Sequence, residues 1–314
     1  MPRLLVGRLA GLLLTLLASS FLIFSSLYLA PGDPVATLSG GRAFPPEAVQ
    51  ALRQQHHLDD PFLTRYLSWL GDLAHGDPGQ SFTFNTGVAD LIAARAASTT
   101  MLVAMASVLI VGLGVTLGLA AGIRGGLLDT GVLLATVIGQ AVPGFVAAIA
   151  LIWLFAVQLG WLPAIGSGQG LAGRVQHLIL PAVALALAQL AYVARITRAA
   201  ARDELGREHV ETARARGLAP SLIARRHVVR NALIPIVTVS GLTVAGLLAT
   251  TVVVERAFNL DGIGSLLVEA VIRKDFAVVQ AVSLFLVTAF VVVNTLIDLV
   301  YGVLDPRVRV GGPA

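Results

Sequence analysis

Residues 195–235 concentrate side chains that can form ion pairs, and apolar stretches lie on both sides of them. An ionised group in hydrocarbon costs several kcal/mol, so this segment belongs in water at one membrane face. Its arginine excess predicts that this face is cytoplasmic. Its arginines are Arg195, Arg198, Arg202, Arg207, Arg214, Arg216, Arg225, Arg226 and Arg230, and its carboxylates are Asp203, Glu204, Glu208 and Glu211.

The composition of this charged segment also predicts helix, because Ala, Arg, Glu and Leu dominate it until Gly217 and Pro220 interrupt it. Glu211 offers a carboxylate to a cationic side chain of another protein. Ala213 and Ala215 are small enough to allow close approach, and Gly217 can adopt positive φ at a helix C-terminus. We therefore expect another protein to dock on this segment.

Several kinds of chemistry have no matching motif in this sequence. A P-loop needs a lysine after its second glycine, but the chain's lysine is Lys274, in Arg273-Lys274-Asp275. The loop Gly166-Ser167-Gly168-Gln169-Gly170 follows no predicted strand, so we do not interpret it as a phosphate cradle. The hydrolase motifs HExxH and GxSxG are missing, and with no cysteine there are no thiolate metal sites.

The overall composition is that of an integral membrane protein. Of 314 residues, 56% are hydrophobic and 13% are charged, with a mean hydropathy of +0.83. Soluble domains average about 25% charged residues. The net charge of +4 follows from arginines at the cytoplasmic ends of spans, which explains it more simply than nucleic-acid binding does.

The expected fold class is an all-α membrane protein with about six transmembrane helices. The first apolar run could be a cleaved signal peptide, but it continues long enough to cross a bilayer, and we favour a retained span. Both termini are then cytoplasmic. The predicted spans are residues 9–29, 99–123, 132–161, 178–194, 232–254 and 276–301. The predicted domains are an N-terminal helix (1–30), an extracytoplasmic insertion (31–97), a core (98–303) that contains the cytoplasmic loop 195–235, and a tail (304–314).

Three local patterns refine this topology. Gly114, Gly118 and Gly122 recur every fourth residue, which places them on one helix face where another backbone can approach closely. Pro143-Gly144 breaks the third span, either as an ordinary proline kink or as a kink lining a pathway. The aromatic and leucine stripe of residues 62–73 predicts either a helix at the membrane interface or a small packed subdomain.

The charged segment also carries a recognisable motif. Glu211-Thr212-Ala213, then Gly217, then Asn231-Ala232-Leu233-Ile234-Pro235 resemble the signature of binding-protein-dependent ABC importer permeases, with Thr212 in place of an alanine. Further motifs are similar to the first of the two permease subunits of dipeptide, oligopeptide and nickel importers. They are Pro31-Gly32-Asp33-Pro34, Leu58-Asp59-Asp60-Pro61, Leu159-Gly160-Trp161-Leu162-Pro163, Gly262-Ile263-Gly264 and Asp305-Pro306-Arg307.

This resemblance implies a type I ABC importer permease fold with an extracytoplasmic insertion between spans 1 and 2, in the bacterial inner membrane. It implies four kinds of partner: a second permease subunit, two ATPase subunits or domains, an extracytoplasmic solute-binding protein and the lipid bilayer, with no nucleic acid. ATP and Mg would be bound by the ATPases, with no catalytic residue, cofactor or metal in this chain. The implied docking residues of the coupling helix are Glu211, Thr212, Ala213, Arg214, Arg216 and Gly217, and Asn231 and Pro235 mark the start of the next span.

The expected function is translocation of di- or oligopeptides, or a related small solute, by alternating access. A permease for another solute class, such as a sugar, a phosphate, nickel or a metal chelate, stays open as an alternative. An ion-coupled secondary transporter is disfavoured, because such proteins usually need buried ionisable groups and the predicted spans contain almost none. A membrane enzyme has no catalytic constellation to support it.

Overall fold

The computed structural model describes residues 2–29, 45, 47, 50, 60–81 and 83–304, and nearly all of its regular structure is helical. The all-α expectation is thereby confirmed. The described residues fall into two compact units, one drawn from Met1–Ala97 and Gly262–Ala289 and the other from Ser98–Asp261 and Phe290–Ala314. The motifs at 31–34, 58–59 and 305–307 lie outside the described residues.

The described elements run along the chain in the following order. The helices are α1 (Pro2–Tyr28), α2 (Phe62–Ala74), α3 (Val88–Arg124), α4 (Gly126–Ala141), α5 (Gly144–Leu151), α6 (Gly170–Leu205), α7 (Glu208–Ala215), α8 (Pro220–Ile223), α9 (Arg230–Ala257), α10 (Ile263–Ile272) and α11 (Phe276–Leu304). π-helical segments follow α5 at Ile152–Gln158 and α8 at Ala224–Val229. The strands β1 (Gln80–Ser81) and β2 (Thr86–Gly87) pair antiparallel.

The described helices include five that are long and apolar enough to cross a membrane, or six if α4 and α5 with its π-helical extension form one span. This agrees with the expected number of spans. The predicted break lies at Pro143, whose backbone lacks the N–H that would continue the helix. The two helices meet there at 102°, an angle that the sequence did not predict.

Several element boundaries differ from the sequence-based expectation. Helix α3 begins at Val88 rather than near residue 99, and α6 begins at Gly170 rather than near 178 and joins the predicted span 178–194 to the charged residues predicted to be helical, as far as Leu205. The segment 255–275, predicted as a loop, contains α10. Ile263, Leu266 and Ala270 lie on one face of α10 and are fully buried, so apolar packing stabilises a helix there despite the turn-forming residues that precede it.

In the first unit, the aromatic stripe of the insertion forms α2 and packs on α1. The rings of Phe24 and Tyr66 lie 5.6 Å apart, and those of Phe21 and Phe62 lie 5.8 Å apart in an edge-to-face arrangement. The hydroxyl groups of Ser20 and Tyr66 are hydrogen-bonded at 2.9 Å. The stripe therefore serves as a packing face against the first helix.

A buried carboxylate fixes the β-hairpin of this unit to the start of α11. The hydroxyl of Ser81 donates to Oδ2 of Asp275 at 2.5 Å, and the backbone N–H of Thr83 donates to the same oxygen at 3.1 Å. The N–H of Val278 donates to Oδ1 at 3.3 Å, so Asp275 also caps α11. Asp275 is only 2% exposed, and neutral groups supply all three of these donors.

In the second unit, the glycine face of α3 contacts α6, as the spacing predicted. A Cβ added at Gly118 would lie 2.5 Å from the carbonyl oxygen of Ala194, and one at Gly122 would lie 2.9 Å from that of Arg198. Real Cβ atoms do not approach a backbone oxygen so closely, so a larger residue would force the helices apart. This prediction is confirmed.

Candidate functional site

Helix α7 is short, and its C-terminus is closed by backbone hydrogen bonds. The N–H of Leu218 donates to the carbonyl of Ala213 at 3.2 Å, and the N–H of Gly217 donates to that of Arg214 at 2.9 Å. This pair of bonds is the Schellman motif, which requires a left-handed residue just past the helix. Gly217 supplies it at φ +73°, as its residue type predicted.

The two faces of α7 have different surroundings. Val210 is fully buried and Ala213 is 4% exposed, and both belong to an apolar cluster with Ala201, Ile223 and Val228. Apolar burial therefore holds α7 against its own chain. The opposite face is exposed and carries charges of both signs. It consists of Glu208, Glu211, Thr212, Arg214, Ala215 and Arg216.

The predicted docking residues therefore divide between these faces. Glu211, Thr212, Arg214, Arg216 and Gly217 are exposed, in positions where another molecule can reach them. The Ala213 side chain points into the chain's own cluster, so its small size serves packing within the protein. The exposed alanine of the pair singled out in the sequence is Ala215.

A polar network joins the N-terminal end of α7 to the helices on either side of it. Nε of Arg207 lies 3.0 Å from Oε1 of the nearly buried Glu204, and Nε2 of His209 lies 3.6 Å from Oε2. The Asn231 amide nitrogen donates to the carbonyl of His227 at 2.9 Å and lies 3.2 Å from Nε2 of His209. Asn231 thus links the start of α9 to α7.

The other residue predicted at the start of the next span, Pro235, lies inside α9 and is exposed. Helix α9 begins at Arg230, so Pro235 is its sixth residue. The backbone is helical through Ala224–Val229 into α9, so Pro235 lies inside a continuous helix, where it removes one backbone hydrogen bond of the kind made from residue i to residue i−4.

An ion-pair cluster near α7 was not predicted from the sequence. Asp129, in the first turn of α4, accepts hydrogen bonds from both Nε and a terminal nitrogen of Arg198, the latter at 2.8 Å. A terminal nitrogen of Arg202 donates to Oδ2 of Asp129 at 2.6 Å. The spacing of four residues between the arginines signals a shared helix face, but nothing in the sequence pairs them with an acid 69 residues away.

Two features of the described residues bear on metal and phosphate binding. No group of three or more His, Asp or Glu side chains there could hold a metal ion. The glycine-rich loop packs on its own protein: the N–H of Gly166 donates to the carbonyl of Phe258 at 3.0 Å, and the N–H of Asp261 donates to Oγ of Ser167 at 3.0 Å. The N–H of Gly166 and the hydroxyl of Ser167 are therefore engaged within the protein.

Two family models match the chain. The model described as binding-protein-dependent transport system inner membrane component matches residues 114–310. The model for the N-terminal region of these membrane components matches residues 1–103. Together they account for most of the chain, and the first includes α7 and the Asp129 cluster.

Curated relatives match over nearly their whole length. A protein of Brucella abortus (strain 2308) named as a peptide transport system permease is 38% identical over 98% of this chain and 99% of its own length. The di/tripeptide transport system permease protein DppB of Pseudomonas aeruginosa is 37% identical, with 97% and 98% covered. The glutathione transport system permease protein GsiC of Escherichia coli is 36% identical, also with 97% and 98% covered.

The fold is similar to that of a solved transporter. A chain of the MetNI methionine ABC transporter, solved in inward-facing conformations, superposes with a TM-score of 0.54 at 16% identity. The match covers 68% of this chain and 96% of that one. At this identity the likeness concerns the fold, and it agrees with the expected type I importer permease architecture.

Proposed function

This chain belongs to the family of binding-protein-dependent transport system inner membrane components, and we propose that it is the permease subunit of an ATP-driven importer of peptides. The relatives that match over their full length are named for peptide, di/tripeptide and glutathione transport, and glutathione is itself a tripeptide. Peptides are therefore the solute class best supported. The chain's part in import is to provide the passage across the membrane.

The observation that carries the proposed mechanism is the way α7 packs, with one face buried and the other exposed. Its buried face is fixed to α6 and to the segment before α9, while Glu211, Arg214 and Arg216 are exposed. A short helix that is packed on its own chain and has a charged exposed face can bind another protein and transmit that protein's movement to the helices beneath it. We propose that an ATPase subunit docks on this face, and that ATP and Mg bind in that subunit.

The remaining partners follow from the family. A second permease subunit would complete the passage, a second ATPase domain would move it, and an extracytoplasmic binding protein would deliver the peptide. ATP binding would bring the two coupling helices together and shift the permeases between inward-open and outward-open states. Such a shift requires that the nucleotide-bound ATPases bind one state better than the other.

The proposed orientation places α7 and both termini in the cytoplasm. Its support is the distribution of arginines, which are dense in residues 195–235 and sparse in the short loops of the opposite side. Labelling of single cysteines introduced into this cysteine-free chain tests it directly. We expect Glu208→Cys in intact cells to be protected from a membrane-impermeant thiol reagent, and reaction from outside would contradict the orientation.

The docking proposal is tested by Glu211→Lys in the complex purified with its partner subunits. We expect the ATPase to be lost from the complex and peptide uptake in proteoliposomes to fall to background, because the carboxylate facing the partner becomes a cation. The matched control is Asp203→Lys, which changes an exposed acid in the last turn of α6. This variant should keep the ATPase in the complex and retain peptide uptake. Wild-type uptake by the Glu211→Lys complex would contradict the docking assignment.

A second pair of variants tests the turn that ends α7. Gly217→Val places a β-branched residue at φ +73°, which is strongly disfavoured, so α7 should lose its C-terminal geometry and uptake should fall. The control is Gly206→Val, because Gly206 has φ −87° and leaves a Cβ at least 3.7 Å from its neighbours. Equal uptake by the two variants would show that the turn is not needed.

A further inference from the structure

We infer that Asp129 is a positioning residue. Its ion pairs make α4 move together with the C-terminal part of α6, which leads into α7. This inference rests on the proposed function, in which an ATPase moves α7. It adds the route by which that movement reaches the bent helix pair α4–α5. The carrying observation is the ion-pair cluster of Asp129 with Arg198 and Arg202.

The geometry of the cluster is specific. Both oxygens of Asp129 are engaged, one by Nε of Arg198 and the other by terminal nitrogens of Arg198 and Arg202 at 2.8 and 2.6 Å. The side chains of Asp129 and Arg198 are 9% and 15% exposed, whereas that of Arg202 is 47% exposed. A bidentate arginine–carboxylate contact fixes the relative orientation of the two side chains as well as their distance.

The contact between α4 and α6 continues from this cluster to the bend. A Cβ added at Gly139 would lie 3.1 Å from Cβ of Ala191 and 3.6 Å from the carbonyl oxygen of Leu187. The two helices therefore run antiparallel and in close contact, from Asp129 beside Arg198 to Gly139 beside Ala191. Helix α4 ends two residues later, at Ala141, immediately before the bend at Pro143.

The same turn of α6 belongs to the apolar cluster that holds α7. Ala201, between the two arginines in sequence, is fully buried in the apolar cluster that holds Val210 and Ala213 of α7. On the α3 side, a Cβ added at Gly122 would lie 2.9 Å from Cβ of Ala201. Residues 198–202 of α6 therefore contact α3 and α4 and share an apolar cluster with α7, so a displacement of α7 reaches them through that cluster.

The nature of these contacts indicates why the ion pairs matter for movement. Apolar contact is non-directional, so the packing of small residues such as Gly139 on Ala191 specifies the register of two helices less strictly than a polar contact does. The cluster resists sliding, because a shift of α4 along α6 would separate charged groups that are shielded from water on the Asp129 and Arg198 sides. The cluster therefore sets the register between the two helices.

The experiment compares variants in the reconstituted complex with its ATPases and binding protein. Asp129→Asn removes the charge and retains the size of the side chain, and Arg202→Gln removes the more exposed partner while the Asp129–Arg198 pair remains. We expect Asp129→Asn to retain the ATPase but to transport about tenfold less peptide per ATP hydrolysed, a typical size for an energetic coupling between sites. Arg202→Gln should also lower the ratio of peptide transported to ATP hydrolysed, but by a smaller factor.

The control is Asp203→Asn, which removes an exposed acid adjacent to Arg202 and should leave the ratio unchanged. The double variant Asp129→Arg with Arg198→Asp restores an opposite-charge pair at the same net charge, and we expect it to recover part of the ratio. A wild-type ratio in Asp129→Asn overturns the inference. If that variant does not assemble, a wild-type ratio in Arg202→Gln overturns it.

The outcome separates this inference from the proposed function. If the ATPase does not dock on α7, Glu211→Lys retains both the ATPase and uptake, whatever the ratio in the Asp129 variants. If only the inference is wrong, Glu211→Lys loses the ATPase as expected while Asp129→Asn transports peptide with the wild-type ratio.

Discussion

Two buried aspartates fix helices in different regions of this protein, and they do so with different donors. Asp275 in the first unit is 2% exposed and accepts hydrogen bonds from a hydroxyl and two backbone N–H groups. Asp129 in the second unit is also buried and accepts hydrogen bonds from the side chains of two arginines. Both carboxylates join segments that are distant in sequence.

The difference lies in what each arrangement leaves behind when the carboxylate is lost. Around Asp275, removal leaves neutral donors, and a buried neutral donor without an acceptor costs about 1–3 kcal/mol. Around Asp129, removal leaves two guanidinium charges, one of them on the shielded Arg198, without the carboxylate that pairs with both. Hydrogen bonds from neutral donors suit a contact between segments that do not move relative to each other. An ion pair suits a contact between two helices that must keep a defined register while they move.

The largest expected effect distinguishes these two sites directly. Asp275→Asn retains an oxygen for Ser81, so the free energy of unfolding should fall by about 1–3 kcal/mol, the cost of an imperfectly satisfied buried group. Asp129→Asn should cost more, because a neutral amide cannot balance two arginines. The measurement is the thermal unfolding midpoint of each purified variant in the same detergent.

The two midpoints also decide whether the comparison is correct. An Asp275→Asn variant that unfolds at a lower temperature than Asp129→Asn would show that the kind of donor does not set the cost. A further control is Asp261→Asn, which alters an exposed acid and should leave the midpoint near that of the unaltered protein.

A smaller effect is expected from moving the arginine backbone rather than the carboxylate. A Cβ at Gly122 would lie 2.9 Å from the carbonyl oxygen of Arg198, so Gly122→Ala must separate α3 from α6 or shift Arg198 relative to Asp129. We expect a loss of about 1–3 kcal/mol, as for overpacking elsewhere. The measurement is again the unfolding midpoint.

Gly112→Ala is the matched control on the same helix, because a Cβ there meets no atom within 4 Å. Alanine is about 0.8–1.0 kcal/mol better than glycine in a helix, so this variant should be neutral or more stable. Similar losses in the two variants would mean that glycine content, rather than the contact with Arg198, decides the stability of α3.

The sequence predicted those features of the site that depend on local chemistry. Positive φ at Gly217 followed from its place after a helical segment, and the close approach at Gly118 and Gly122 followed from their spacing. The family signature identified the region of α7. These features were predictable because neighbouring residues suffice to define them.

The features that escaped prediction depend on contacts distant in sequence. The fourth apolar span was expected to end near residue 194, and the charged segment after it was predicted to be a helical part of a cytoplasmic loop, with nothing to join the two into one helix. Helix α6 continues to Leu205, with Asp129 neutralising part of that charge. The burial of Ala213 depends on where α6 lies, and the 102° bend at Pro143 depends on packing that no local rule supplies.

The smallest expected effect comes from a carboxylate with a charged partner in a more exposed place. Arg273 lies 3.0 Å from Glu269 in the first unit, but its side chain is 53% exposed, and Arg95 lies near the same carboxylate at 3.9 Å. Arg273→Gln should therefore change the free energy of unfolding by less than about 1 kcal/mol, because exposed ion pairs are screened and contribute little. The difference from the unaltered protein should shrink further at about 1 M salt, where the screening length falls to about 3 Å. If Arg273→Gln lowered the midpoint as much as Asp129→Asn does, charge alone would account for both sites, and the shielding of Arg198 would lose its explanatory role.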